Sequence, residues 1–220
     1  VTAHQTTSET DDGWVVNASG TDTAKAGVWG RMVPEATAAQ PGSDAPDAGA
    51  QCWVTDGRAG TTVGAYDIDG GVTSLTSPVM DLEGAQSARL TFWGWFSNTA
   101  GADPGTDVMR ILASADGGVT WTVVETIGPK GEDADGGWFT RDIELVGVIP
   151  MTDAVRVRFE ASDVGLGSVV EAAVDDVAIT GWWCDAEAGP VECAGDVNGD
   201  RVVNAADFTV LAANFGASSG

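Results

Sequence analysis

Between Gly13 and Trp183 the chain rarely runs far without a glycine, proline, asparagine or aspartate, and the stretches between these breakers are rich in β-branched residues. The clearest runs are Gln51–Thr55, Val72–Thr76, Ala88–Ser97, Asp107–Ala113, Thr120–Ile127, Gly137–Leu145, Ala154–Ala161 and Val169–Thr180. No helical periodicity separates them. Eight or more short strands at turn-punctuated spacing predict an antiparallel β-sandwich. Composition agrees: 27 Val and 22 Thr stand against 7 Leu in 220 residues, which favours pleated, tightly turned chain over helix. The fold class is all-β.

Charge narrows the partners. Ten Lys and Arg face 33 Asp and Glu, a formal charge of −23. Nucleic-acid binding draws on Lys and Arg to neutralise phosphates, so DNA and RNA are excluded as partners, as is an anionic membrane surface. No apolar run approaches the ~18 residues of a membrane-spanning helix. One disulfide in a chain this acidic, with only two lysines, would suit an exported protein, extracellular or at the cell surface.

Four segments are expected. Residues 1–12 are polar, carry the single histidine His4, and read as a tail or a strand donated to another molecule. Residues 13–183 form the sandwich. Residues 184–194 are a Gly/Pro/acid linker in which a Cys184–Cys193 bridge would close a short loop, leaving Cys52 as a buried thiol. Residues 195–220 change character to an acidic loop followed by a helix.

Two local patterns stand out. Ser114-Ala115-Asp116-Gly117-Gly118-Val119-Thr120-Trp121 fits Ser-x-Asp-x-Gly-x-Thr-Trp, the Asp-box of sialidases and many secreted β proteins. It marks a hairpin in which Asp and Gly satisfy the turn and Trp anchors it. In Phe92-Trp93-Gly94-Trp95-Phe96, alternation puts the phenylalanines on one side and the tryptophans on the other. With the Phe side in the core, Trp93 and Trp95 form a candidate flat platform for stacking a sugar ring, unless a loop or the N-terminal tail covers that face.

From Gly13 to Thr180 the chain resembles a known jelly-roll domain. The phrases Gly27-Val28-Trp29, Gln51-Cys52-Trp53-Val54-Thr55, Asp67-Ile68-Asp69-Gly70-Gly71, Phe92-Trp93-Gly94-Trp95, Arg156-Val157-Arg158-Phe159 and Val174-Asp175-Asp176 occur in order. Together they are similar to a domain near the C-termini of secreted bacterial zinc carboxypeptidases, distantly like MAM and carbohydrate-binding jelly rolls. The resemblance implies a jelly-roll sandwich with an accessory, non-catalytic role. It also implies a structural cation between an early loop and an acidic pair on the last strand. The matching residues are Asp22, Asp67, Asp69, Glu171, Asp175 and Asp176.

The C-terminal stretch from Gly195 to Gly216 resembles one repeat of a type I dockerin, an EF-hand-like loop with its exiting helix. Counting from Asp196, ligands for Ca²⁺ fall at Asp196, Asn198, Asp200, the Val202 carbonyl, Asn204 and Asp207, six oxygens from one loop. Position six is Arg201 instead of glycine. Dockerins that bind cohesins carry two repeats, and this chain has one. In the following helix, Ala205–Phe215, the residues Phe208, Leu211, Ala212 and Phe215 make one apolar stripe that must rest on something: the sandwich, a second copy, or another protein.

One histidine in a polar tail provides no Ser-His-Asp or Cys-His arrangement, and no enzyme is expected. The leading expectation is a non-catalytic calcium-binding module for attaching or assembling extracellular proteins. Alternatives are a carbohydrate-binding module using Trp93 and Trp95, with a polysaccharide as partner, and a structural subunit of an extracellular filament.

Overall fold

A computed structural model of the chain describes residues 1–46, 48–183, 195–198 and 202–214. Cys184, Cys193, Asp200 and Phe215 lie outside the described residues, and with them the expected disulfide. The strands in chain order are β1 (Thr2–Gln5), β2 (Val15–Val16), β3 (Trp29–Met32), β4 (Cys52–Thr55), β5 (Gly71–Thr76) and β6 (Ser87–Gly101). After them come β7 (Met109–Ser114), β8 (Thr122–Ile127), β9 (Phe139–Glu144), β10 (Arg156–Asp163) and β11 (Ser168–Trp182). One helix, α1 (Ala205–Asn214), follows.

The strands form two antiparallel sheets packed as a jelly-roll sandwich. Sheet A runs β3-β4-β11-β6-β9 with β1 also on β11, and sheet B runs β2-β5-β10-β7-β8. Inward-facing residues of both sheets, among them Leu75, Leu90, Phe92, Phe96, Ile111, Phe159 and Val174, are buried in one core. Phe92 and Phe159 meet edge to face with centroids 5.0 Å apart across it.

Each of the eight expected runs is a strand with ends shifted by a few residues. The two long ones, β6 and β11, pair along nearly their whole length from Ser168↔Gly101 to Trp182↔Ser87. A bulge interrupts β11 between Asp175 and Ala178, and Asp176 takes the left-handed backbone there at φ 48°.

The N-terminal segment, expected as a tail or a strand donated elsewhere, is a strand of its own sheet. Thr2 pairs with Thr180, His4 with Ile179 and Gln5 with Ala178. The Val1 carbonyl accepts from the Gly181 N–H at 2.8 Å and the Val177 carbonyl from the Thr6 N–H at 2.9 Å. Trp14 donates its indole N–H to His4 Nε2 at 3.2 Å, so the chain's histidine is a fastening inside the fold.

Candidate functional site

The outer face of sheet A carries Trp93, Trp95, Glu171, Asp175 and Asp176 of the residues singled out from sequence. On β6, Thr91, Trp93 and Trp95 project away from the core that holds Leu90, Phe92 and Phe96. The two tryptophans do not form one platform. Trp95 donates its indole N–H to the Ala39 carbonyl at 2.8 Å and meets Trp138 edge to face at 5.9 Å. Trp138 in turn donates to the Ser43 carbonyl at 3.3 Å. The segment around residues 36–46 thus lies over Trp95. Beneath it Cys52, Val54 and Ala173 are fully buried, with Met32, Trp95 and Trp138 packed on them. Cys52 is the buried free thiol expected, and burial pushes its pKa up.

Trp93 lies beyond that cover. It is half-buried and lines an open groove of about 370 Å³ with Thr91, Thr140, Asp142 and Asp176. Cross-strand register explains the grouping: Trp93 is opposite Thr140 of β9 and Asp175 of β11, while Thr91 is opposite Asp142. The bulge in β11 turns Asp176 to the groove instead of burying it as Asp175 is buried. Asp142 accepts from Arg89 Nε at 2.7 Å, which orients one carboxylate at the rim. With Arg141 also lining it, the groove sets one apolar indole face beside hydroxyls, two carboxylates and a guanidinium, an apolar surface with a few placed polar groups.

The six acidic residues expected to share a cation occupy different places. Asp22 fastens its loop to sheet B, its carboxylate accepting from the Ser74 N–H and hydroxyl, both at 2.7 Å. Glu171 and Asp175 are both buried on the outer face of sheet A, but four residues apart on one strand, roughly 13 Å. Asp67 sits near Glu171 because the Ile68 N–H bonds the Val170 carbonyl at 3.0 Å. Gly27 lets the chain pass there, since a Cβ on it would lie 2.3 Å from the Asp67 carbonyl carbon. Glu171 accepts from the Thr55 hydroxyl at 3.0 Å. Burial, reinforced by the charges of Asp67 and Asp56, pushes Glu171 up to about 8. Burial and neighbouring Asp69 raise Asp67 to about 6. Burial raises Asp175 to about 7, against hydrogen bonds from the Asp176 and Ala45 N–H groups. Asp69 is exposed. Among the described residues no three His, Cys, Asp or Glu side chains converge as a metal-holding group.

At the C-terminus, Asp207 closes the loop. Its carboxylate accepts the N–H groups of Val197 at 2.8 Å, Asn198 at 3.2 Å and Asn204 at 2.7 Å, and these hold its pKa below the usual value. Asn204 accepts the Ala206 N–H at 2.7 Å, so Asn204 and Asp207 form a reciprocal capping box at the start of α1. Asp196 and Asp207 are buried while Asn198, Val202 and Asn204 are exposed. Phe208 is 71% exposed and Leu211 51%, and Ala212 is exposed beside them.

Comparison with known proteins places the fold. No family model matches the chain, and no curated protein matches it. Among solved structures, the K3 cleaved adhesin domain of Lys-gingipain from Porphyromonas gingivalis W83 is 18% identical with a TM-score of 0.52, covering 81% of this chain and 97% of that one. The K2 cleaved adhesin domain of Lys-gingipain is 16% identical with a TM-score of 0.49, covering 80% and 98%. The CBM22-1 xylan-binding domain from Paenibacillus barcinonensis is 12% identical with a TM-score of 0.44, covering 83% and 96%. At these identities the adhesin likeness speaks for a shared β-sandwich and for nothing finer.

Proposed function

We propose that this chain is a non-catalytic extracellular binding module whose groove on sheet A takes a neutral saccharide. The observation that carries the reading is the different environment of the two tryptophans: Trp95 is tied beneath a loop, whereas Trp93 stays open beside Thr91, Thr140, Asp142 and Asp176. An open pocket suits part of a larger saccharide more than a small enclosed ligand. The β-sandwich shared with an adhesin domain supports an extracellular binding role. Calorimetry with xylo-, cello- and chito-oligosaccharides is the test. At least one should bind, with affinity falling roughly 10-fold or more in Trp93→Ala, the size expected when a stacking ring is removed. Equal binding by Trp93→Ala, or none by the wild type to any of the three, would refute the groove.

A second reading concerns the C-terminal segment and rests on Asp207, which draws residues 197, 198 and 204 around one carboxylate. On this reading the loop holds one Ca²⁺ through Asp196, Asn198, Asp200, Asn204, Asp207 and the Val202 carbonyl. The cation would organise the loop, and the exposed Phe208 and Leu211 would then serve attachment to a protein partner or another copy.

A further inference from the structure

On the outer face of sheet B, β10 carries Arg156 and Arg158 two residues apart, and so on the same side of the strand. Like charges about 7 Å apart on one strand oppose each other. Neither guanidinium makes an ion pair among the described residues, although the chain carries 33 acidic residues. The charges of Glu160 and Asp22 act on Arg158, but these carboxylates and that of Asp116 are bonded to other donors. Asp22 is held by Ser74, Glu160 by Arg110 at 3.4 Å, and Asp116 by Ser114 and Thr120 at 2.7 and 2.6 Å.

Both arginines are nevertheless well positioned. Arg158 is 8% exposed, stacks over the Trp121 ring at 4.2 Å and donates Nε to the Thr76 hydroxyl at 3.2 Å. Arg156 has a buried Nε with no hydrogen-bond partner. The Asp-box turn supplies the floor: Asp116 accepts the N–H groups of Val119 and Thr120 at 3.0 and 2.9 Å. Trp121 then donates its indole N–H to the Gly118 carbonyl at 3.0 Å. Ser19, Thr76, Gly118, Trp121, Arg156 and Arg158 line an open cavity of about 60 Å³.

We propose that this cavity binds a single oxyanion, a carboxylate or a sulfate-type group, clamped by Arg156 and Arg158. Guanidinium forks match the geometry of two oxygens on one acid group, and a half-desolvated fork strengthens the pairing. An oxyanion here relieves the repulsion between the two arginines. The net charge of −23 disfavours densely charged polyanions. Screening over about 8 Å at physiological salt still leaves a local pairing effective. The site lies on the opposite sheet from the Trp93 groove and does not depend on it.

The test is a titration of the ¹⁵N-labelled full chain with sodium sulfate, sodium acetate and sodium glucuronate, each against sodium chloride at equal ionic strength. The Arg156 and Arg158 Nε–H and Trp121 indole N–H resonances report. At least one oxyanion should give a saturable shift absent with chloride. Affinity should fall roughly 10-fold or more in Arg156→Gln and stay unchanged in Arg58→Gln. Arg156→Lys, which keeps the charge and loses the fork, should fall between them, and serves if Arg156→Gln does not fold. Sulfate binding tighter than both carboxylates assigns the site to a sulfate-type ion. Glucuronate binding tighter than acetate and sulfate assigns it to an acidic saccharide. Chloride-like behaviour with all three, or a shift retained in Arg156→Gln and Arg156→Lys alike, overturns the proposal.

Discussion

Trp95 and Ala39 are joined by a 2.8 Å hydrogen bond from indole N–H to backbone carbonyl, and this contact separates two tryptophans that alternation alone makes equivalent. Trp95→Ala should therefore be a stability mutation and Trp93→Ala a binding mutation. Removing Trp95 opens a void over Cys52, Val54 and Ala173 and frees the segment around residues 36–46, at a cost of roughly 3 kcal/mol. Trp93→Ala should shift the urea midpoint far less. Chemical denaturation of both variants checks the contrast.

Three buried carboxyls set the pH dependence. An acid whose folded pKa lies above its unfolded value holds its proton more tightly in the folded chain. Its contribution is complete below the unfolded value and is lost as pH rises through the folded one. For Asp67, Asp175 and Glu171 the loss runs from about pH 4 to about 6, 7 and 8 respectively, at up to about 1.4 kcal/mol per pH unit for each proton involved. Glu9, Asp116 and Glu144, whose pKa values are lowered by hydrogen bonds from Ala50, Gln51, Thr120, Ser114, Ala88 and Ser87, act oppositely and lose stability below about pH 4. Denaturation in EDTA should show higher stability at pH 5 than at pH 8. Glu171→Gln should flatten the alkaline limb.

Deleting residues 1–6 should expose the edge of β11 at Ala178–Thr180, now paired with Thr2–Gln5. An uncovered edge loses stability and recruits other chains. We expect Tm to fall by roughly 5 °C or more and the mass measured by light scattering to rise. A monomeric deletion variant with unchanged Tm would show that β1 contributes little.

Calcium should bind the full chain with one loop-dependent site. Calorimetry should record a heat of binding that disappears in Asp200→Ala and Asp207→Ala, and far-ultraviolet dichroism should show helix gained on addition of the ion. Asp207→Ala should also weaken the helix without calcium, because the same carboxylate caps Asn204. Asp200→Ala separates the two effects.

The strands, the hairpin at Ser114–Trp121 and the capping box at Asn204 and Asp207 were legible in the sequence because each is decided within a few residues: by β-branched alternation, by side-chain-to-backbone hydrogen bonds, or by an orphan N–H. The aromatic strand was also legible down to which face each ring takes. Its exposure was not, because whether a face stays open depends on a segment some 50 residues away folding over Trp95. The same holds for the acidic residues. The jelly-roll resemblance marked Asp22 and Asp175 alike, but Asp22 lands on Ser74 of sheet B and Asp175 under the Ala45 backbone on sheet A. The N-terminal strand has too little pattern of its own to name a partner 180 residues away. In the sequence Arg156 and Arg158 are two alternating residues of one β-branched run. Their lack of an ion pair among the described residues became visible once the tertiary fold had bonded Asp22, Glu160 and Asp116 to other donors, since charge pairing is settled by three-dimensional proximity and not by composition.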